Sequence, residues 1–207
     1  NWNTTLVADG LYTLSLVVRD VAGNISAPLI QTVTVDNQPP VITFDKWVEL
    51  PTPNDYEHAV GSKLWFNPAA PGQARLEMLA TDAASGVNRV DFPALGAGWT
   101  PLGLSDTIAG PYSVDYQWGA GAVTNLAASA IAVDNGGNSA TAGFSVQQDT
   151  AAPTGSTLSY PFGYQNTTSV DLTFARGTDA DSGLNRHQLQ RQSAPLTGGV
   201  CGAWSLA

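Results

Sequence analysis

Apolar and polar residues alternate with a period of two along much of the chain, the pattern of half-buried strands. Residues 31–35 and 143–146 alternate strictly. Residues 11–19 alternate in part and are rich in β-branched and aromatic side chains. The same reading predicts strands at 41–44, 74–81, 87–92, 113–118, 126–133, 170–175 and 184–190. Turn residues separate them roughly every 8–12 positions, the spacing of a β-sandwich. No stripe of helical period runs beyond two turns. Residues 127–132 are Ala-rich, but they align with the strand at 12–18 and are read as strand.

The alignment comes from internal repetition. Val18-Arg-Asp20-Val-Ala-Gly23-Asn24 matches Val133-Asp134-Asn-Gly-Gly137-Asn138. Asp36-Asn-Gln-Pro-Pro40 matches Asp149-Thr-Ala-Ala-Pro153. Thr81-Asp82-Ala-Ala-Ser85-Gly86-Val87 matches Thr178-Asp179-Ala-Asp181-Ser182-Gly183-Leu184. One copy is longer, with most of the extra length in a Pro-rich stretch at 45–73.

These recurring phrases resemble tandem bacterial immunoglobulin-like or fibronectin type III-like domains of large secreted and cell-surface proteins. The resemblance implies an all-β fold of tandem immunoglobulin-like sandwiches, one complete and two partial. Residues 38–150 would be the complete domain, with an insertion near 45–73. Residues 1–37 would be the last two strands (F and G) of a preceding domain, and 151–207 the first strands (A, B and C) of a following one. Neither end can bury a sandwich core alone. Asp82 lies 52 residues before Asp134. Joining the chain ends would put Asp179 at nearly the same distance before Asp20. A window cut from a longer array gives this pattern, and so does strand exchange between protomers, the rarer arrangement. The chain starts with no initiator Met or signal-peptide pattern, so the native N-terminus is expected upstream.

Composition narrows the function. Seventeen acidic against 8 basic residues give a net charge of −9, which argues against a nucleic-acid surface. No apolar run approaches the ~18 residues of a membrane span. The single cysteine, Cys201, excludes an internal disulfide and a cysteine-based zinc site. The resemblance implies a partner cysteine on strand F; 11–19 holds none, so a free or externally paired thiol is expected. Asn3, Asn24 and Asn166 head glycosylation sequons.

The acidic residues divide into 14 Asp and 3 Glu, and Asp favours turns and hard-cation sites. In the implied topology Asp36, Asp82 and Asp134 gather at one domain joint, and Asp149, Asp179 and Asp181 at the next. Three carboxylates with Asn side chains and loop carbonyls approach the oxygen set of calcium. The alternative is that each Asp caps its own turn. No cofactor is required, and calcium at the junctions is the one candidate. Short Pro-containing joints predict a semi-rigid rod.

Trp47, Trp65, Trp99 and Trp118 fall in the central domain. Trp65 and Trp118 are candidates for stacking on a surface glycan; the alternative is that the tryptophans pack the core with their N–H groups satisfied. Asp55, Glu57 and His58 form a superficially catalytic trio on an expected irregular loop, where neighbours in sequence do not share a site. His187 has no metal-ligating neighbour. No nucleophile-elbow, zinc-protease or phosphate-loop pattern occurs, so no catalytic residue is assigned. The expected role is a non-catalytic extracellular spacer, stalk or filament block, with neighbouring repeats of the same protein as partners. The alternative is an adhesin or glycan-binding module that contacts a surface glycan or protein.

Overall fold

The computed structural model describes residues 1–50, 56–108 and 110–206. Among these there is no α-helix, only a 3-10 turn at Thr4–Leu6. Two compact units result, Asn1–Thr150 and Ala151–Ala207.

The first unit opens with a hairpin. β1 (Gly10–Leu16) pairs antiparallel with β2 (Leu29–Val35), from Gly10 opposite Val35 to Leu16 opposite Leu29. Leu11, Leu14, Leu16, Leu29 and Ile30 remain exposed on it. Two strands alone bury too little apolar surface to make a core.

Ten strands follow. They are β3 (Val41–Leu50), β4 (Glu57–Val60), β5 (Lys63–Phe66), β6 (Gly72–Thr81) and β7 (Val87–Asp91), then β8 (Trp99–Leu102), β9 (Ser105–Asp106), β10 (Tyr112–Trp118), β11 (Asn125–Asp134) and β12 (Ser139–Gln148). They form a four-stranded sheet ordered β3-β6-β10-β8 and a six-stranded sheet ordered β4-β5-β12-β11-β7-β9. Neighbouring strands are antiparallel except β5, which runs parallel to β12. Both sheets turn buried residues into one shared hydrophobic core, as an all-β sandwich does.

Alternation explains which residues enter that core. β6 sends Ala74, Leu76 and Met78 inward, and β10 sends Tyr112, Val114, Tyr116 and Trp118. Aromatic rings join the sheets. Phe66 of β5 meets Trp99 and Trp118 of the opposite sheet at centroid distances of 4.8 and 5.6 Å. Trp47 of β3 meets Phe144 of β12 at 5.6 Å. Tyr116 donates its hydroxyl to the Pro93 carbonyl at 2.6 Å, so its polar end is satisfied within the protein.

Three sequence expectations change. The described residues of 45–73 are not an irregular loop: 45–50 extend β3, and β4 and β5 form a hairpin that joins the six-stranded sheet. Leu64 and Phe66 of β5 are buried core residues. A register shift between Phe44 and Lys46 explains why β3 runs past the expected end at 44. The bulge breaks the two-residue period, and Trp47 then points inward at an odd position where Ile42 did so at an even one. Residues 184–190, expected as a strand, form none.

In the second unit β13 (Thr154–Ser159) pairs antiparallel with β14 (Thr173–Thr178). Thr154 after Pro153 faces Thr178 before Asp179, as Val41 after Pro40 faces Thr81 before Asp82. The repeated phrases therefore carry the same strand register. Two-residue strands at Gln192–Ser193 and Ser205–Leu206, and at Leu196–Thr197 and Val200–Cys201, complete the unit. None of residues 151–205 is buried. Cys201 is free and exposed.

Packing makes a sharp prediction about two glycines. A Cβ on Gly72 would fall 2.0 Å from Cζ2 of Trp118, inside the ring seam. Gly72→Ala is expected to cost about 1–3 kcal/mol by overpacking. A Cβ on Gly143 in β12 would meet nothing closer than the Ala128 carbonyl oxygen at 3.8 Å. Gly143→Ala is expected to be neutral or to stabilise by up to about 1 kcal/mol through the unfolded chain. Urea unfolding midpoints of the two variants test this.

Candidate functional site at the end of the first hairpin

Three strand ends bring three carboxylates together. Asp36 directly follows β2, Asp82 directly follows β6, and Asp134 closes β11. One carboxylate oxygen from each lies within 4.8 Å of the other two; Asp134 is buried and the other two are half-buried. This is the first of the two acidic groups expected from the sequence. Of the second, Asp149 is a buried residue of the first unit. Asp179 and Asp181 belong to the second unit, where Asp179 accepts the Asp181 and Gly183 amides at 3.1 and 2.9 Å.

Each loop owes its shape to its own Asp. Asp134 Oδ1 accepts the Asn138 amide at 2.8 Å, and Oδ2 accepts the Asn138 side-chain N–H at 3.0 Å. Asp20 and Asn24 repeat this pair of bonds at 2.8 and 2.7 Å. The Asn24 side chain, its largest influence, holds the exposed Asp20 carboxyl below its usual range. Gly137 and Gly23 take φ near +92° and +94° between the two partners, a conformation that favours glycine. Asp82 Oδ1 accepts three amides, from Ala84, Ser85 and Gly86, at 3.1, 2.8 and 2.8 Å. The recurring phrases are thus side-chain-to-backbone turn motifs.

Further bonds tie the three loops to one another. Ser85 donates its hydroxyl to Asp36 Oδ2 and accepts the Gly136 amide at 3.1 Å. Asn138 also donates to the Asp36 carbonyl at 3.2 Å. Asn135 donates its side chain to the Ser85 and Gly86 carbonyls at 2.9 and 3.1 Å. Gly136 leaves room for this closeness: a Cβ there would lie 3.2 Å from that of Asp36. Ser85, Asn135 and Asn138 were not singled out from the sequence as site residues. The signal was present, since Ser85 and Asn138 recur as Ser182 and Asn24 in the repeated phrases.

Electrostatics leaves the group unbalanced. Among the described residues no Lys, Arg or His forms a salt bridge with Asp36, Asp82 or Asp134. Asp82 Oδ2 takes no hydrogen bond there either. All-oxygen ligands of this kind suit a hard divalent cation, and an oxygen already bonded to an amide keeps a second lone pair.

The other candidates separate. Trp118 is 2% exposed and packs against Phe66 and Trp99, which corrects its assignment as an exposed ligand-binding aromatic. It is the inward residue that ends β10, and alternation puts it in the core. Among the described residues the indole N–H groups of Trp99 and Trp118 have no hydrogen-bond partner, contrary to the expectation for packed tryptophans, whereas that of Trp47 reaches the Ser62 carbonyl at 3.4 Å. Trp65 stays half-buried, with the Lys63 ammonium 4.6 Å from its ring centre. Of the catalytic-looking trio, Asp55 lies outside the described residues. Glu57 and His58 are consecutive on β4, with Glu57 buried and His58 exposed, so they do not share a site. His187 is exposed, with Nε2 3.3 Å from the Arg176 carbonyl.

No family model, curated protein or solved structure matches the chain.

The cross-loop bonds set an expectation for Asn138→Ala. It strands the buried Asp134 Oδ2 and cuts the link to Asp36. A loss of about 1–3 kcal/mol is expected in urea unfolding, whereas Asn24→Ala, at an exposed copy of the loop, is expected to cost under about 1 kcal/mol.

Proposed function

We propose that the chain is a non-catalytic stretch of tandem immunoglobulin-like sandwiches, working outside the cell as a spacer, stalk or filament block whose joints bind calcium. The strand order supports the module. β3-β6-β10-β8 opposite β12-β11-β7 corresponds to the A-B-E-D and G-F-C sheets of an immunoglobulin domain. The single observation that carries the joint is the Asp36–Asp82–Asp134 group, which ties the end of the first hairpin to two loops of the sandwich. A cation there would offset three negative charges and cross-link three chain segments.

Melting curves test the cation. Calcium at a hundred times its dissociation constant adds about 2.7 kcal/mol, which corresponds to a rise of about 5–10 °C for a unit of this size. Chelator should reverse the rise. Asp82→Asn keeps the Oδ1 that accepts three amides but removes the charge. It should fold as the parent does and lose the calcium response. A parent melting curve indifferent to calcium would remove the cation from the proposal.

A second reading, a saccharide-binding face, rests on one row across the six-stranded sheet. His58 faces Trp65, Trp65 faces Gln147 and Gln147 faces Asn125, so a half-exposed ring is flanked by polar side chains. Saturable glycan-array binding that disappears in Trp65→Ala is the expected outcome for that reading; fibres in micrographs with a blank array favour the first.

A further inference from the structure

Glu57 begins β4, an edge strand of the six-stranded sheet. The residue is 7% exposed, and neither carboxylate oxygen has a hydrogen-bond partner among the described residues. An unpartnered carboxylate removed from water is strongly disfavoured as the anion. The charged groups around it do not help. Glu49 on β3 accepts the Ala59 amide of β4 at 2.9 Å and lies 3.9 Å from His58 Nδ1. Phe66 faces Glu57 on β5, and beyond it Asp149 donates its amide to the Phe66 carbonyl at 2.8 Å. Lys63, the cation of β5, sits over the Trp65 ring. Burial first, and the Glu49 charge second, raise the Glu57 carboxyl to about 8; the Leu50 amide opposes this without reaching hydrogen-bond geometry.

We propose that Glu57 is a proton latch for the sheet edge: as the neutral acid it seals β4 against β3 and β5, and on ionising it releases β4. Glu49 serves both states. It holds β4 through the Ala59 amide, and its charge repels an ionised Glu57. Four residue pairs join β4 to β5, and among the described residues β4 has no strand on its other side. Its departure would uncover the backbone edge of β5, a surface that pairs with added strands. The direction in pH follows from linkage. The folded carboxyl binds its proton more tightly than the unfolded one, whose ordinary value is 4.5. Closed-state stability is therefore fullest below 4.5 and falls as pH rises toward about 8.

Hydrogen exchange on the full chain tests the latch, with rates corrected for intrinsic chemistry. At pH 6 the amides of Glu57–Val60 should be protected, and at pH 9 they should exchange at least tenfold faster, while β6 and β10 stay protected. Glu57→Gln should remain protected at both values, and His58→Gln should behave as the parent. Equal protection of the parent at both pH values, equal loss in Glu57→Gln, or loss of the response in His58→Gln would each overturn the proposal. Should Glu57→Gln fail to fold, a carbon-13 titration of the parent decides. A Glu57 midpoint near 8 supports the latch, and one near 4.5 overturns it.

Discussion

The contact between the two sheets through aromatic rings is the constraint on which the first unit depends. Phe66 lies against Trp99 and Trp118, and Trp47 against Phe144. Large rings bury much apolar area each and dominate such a core. The backbone is fitted to them. Gly72 lacks the atom that would collide with Trp118, and Gly98, at φ +81°, lets Ala122 approach where a Cβ would stand 2.7 Å from its Cα. The seam also explains why so short a strand as β5 persists beside β12. Two of its four residues, Leu64 and Phe66, are core residues, so pulling β5 away would open the core itself.

A second constraint acts where β2, β6 and β11 end. There the chain is held by polar bonds rather than by apolar packing. Asp134 organises one loop and Asp82 another, while Ser85 and Asn138 stitch both to Asp36. These bonds give the hairpin β1–β2 a fixed attachment even though its apolar face stays open. The stiffness expected from Pro39 and Pro40 therefore has a partner in hydrogen bonding across the joint.

Legibility in the sequence followed burial. β6, β10 and β12 alternate inside a two-sided core, and their two-residue period is plain in the letters. The Asp36–Asp82–Asp134 group was also legible, because repetition fixed which loops correspond and sandwich topology gathers those loops at one end. The segment around β4 and β5 was not. Four-residue strands between Pro-rich stretches carry too few periods to be told from a loop, and the bulge near Asp45 reverses the parity of β3. Residues 184–190 failed for the opposite reason. Their composition suits a strand, but a strand exists only with a partner: the matching strand of the first unit, β7, pairs with β11 and β9, and no described strand of the second unit pairs with 184–190. For Trp118 both a core and a glycan-stacking role stood open, because a residue at a strand's end, next to glycines, also reads as rim; its ring contacts decide for the core.

The surplus of Asp over Asn at the joint can be argued residue by residue. At Asp134 the charge belongs to the turn, since an amide there would set its own N–H₂ against that of Asn138. At Asp82 the turn asks only for one oxygen, which accepts three amides, and Asn would supply it. At Asp36 the side chain meets one amide and one hydroxyl. The hydroxyl can reverse its role toward an Asn N–H₂, because Ser85 Oγ has lone pairs to spare. Two of the three charges thus exceed what the hydrogen bonds require. Carboxylates gathered this closely carry like charge on three neighbouring chain segments. No basic side chain forms a salt bridge with them among the described residues. A turn-capping role accounts for the geometry of the joint but leaves its excess charge unexplained, and a hard cation shared by the three loops would account for both.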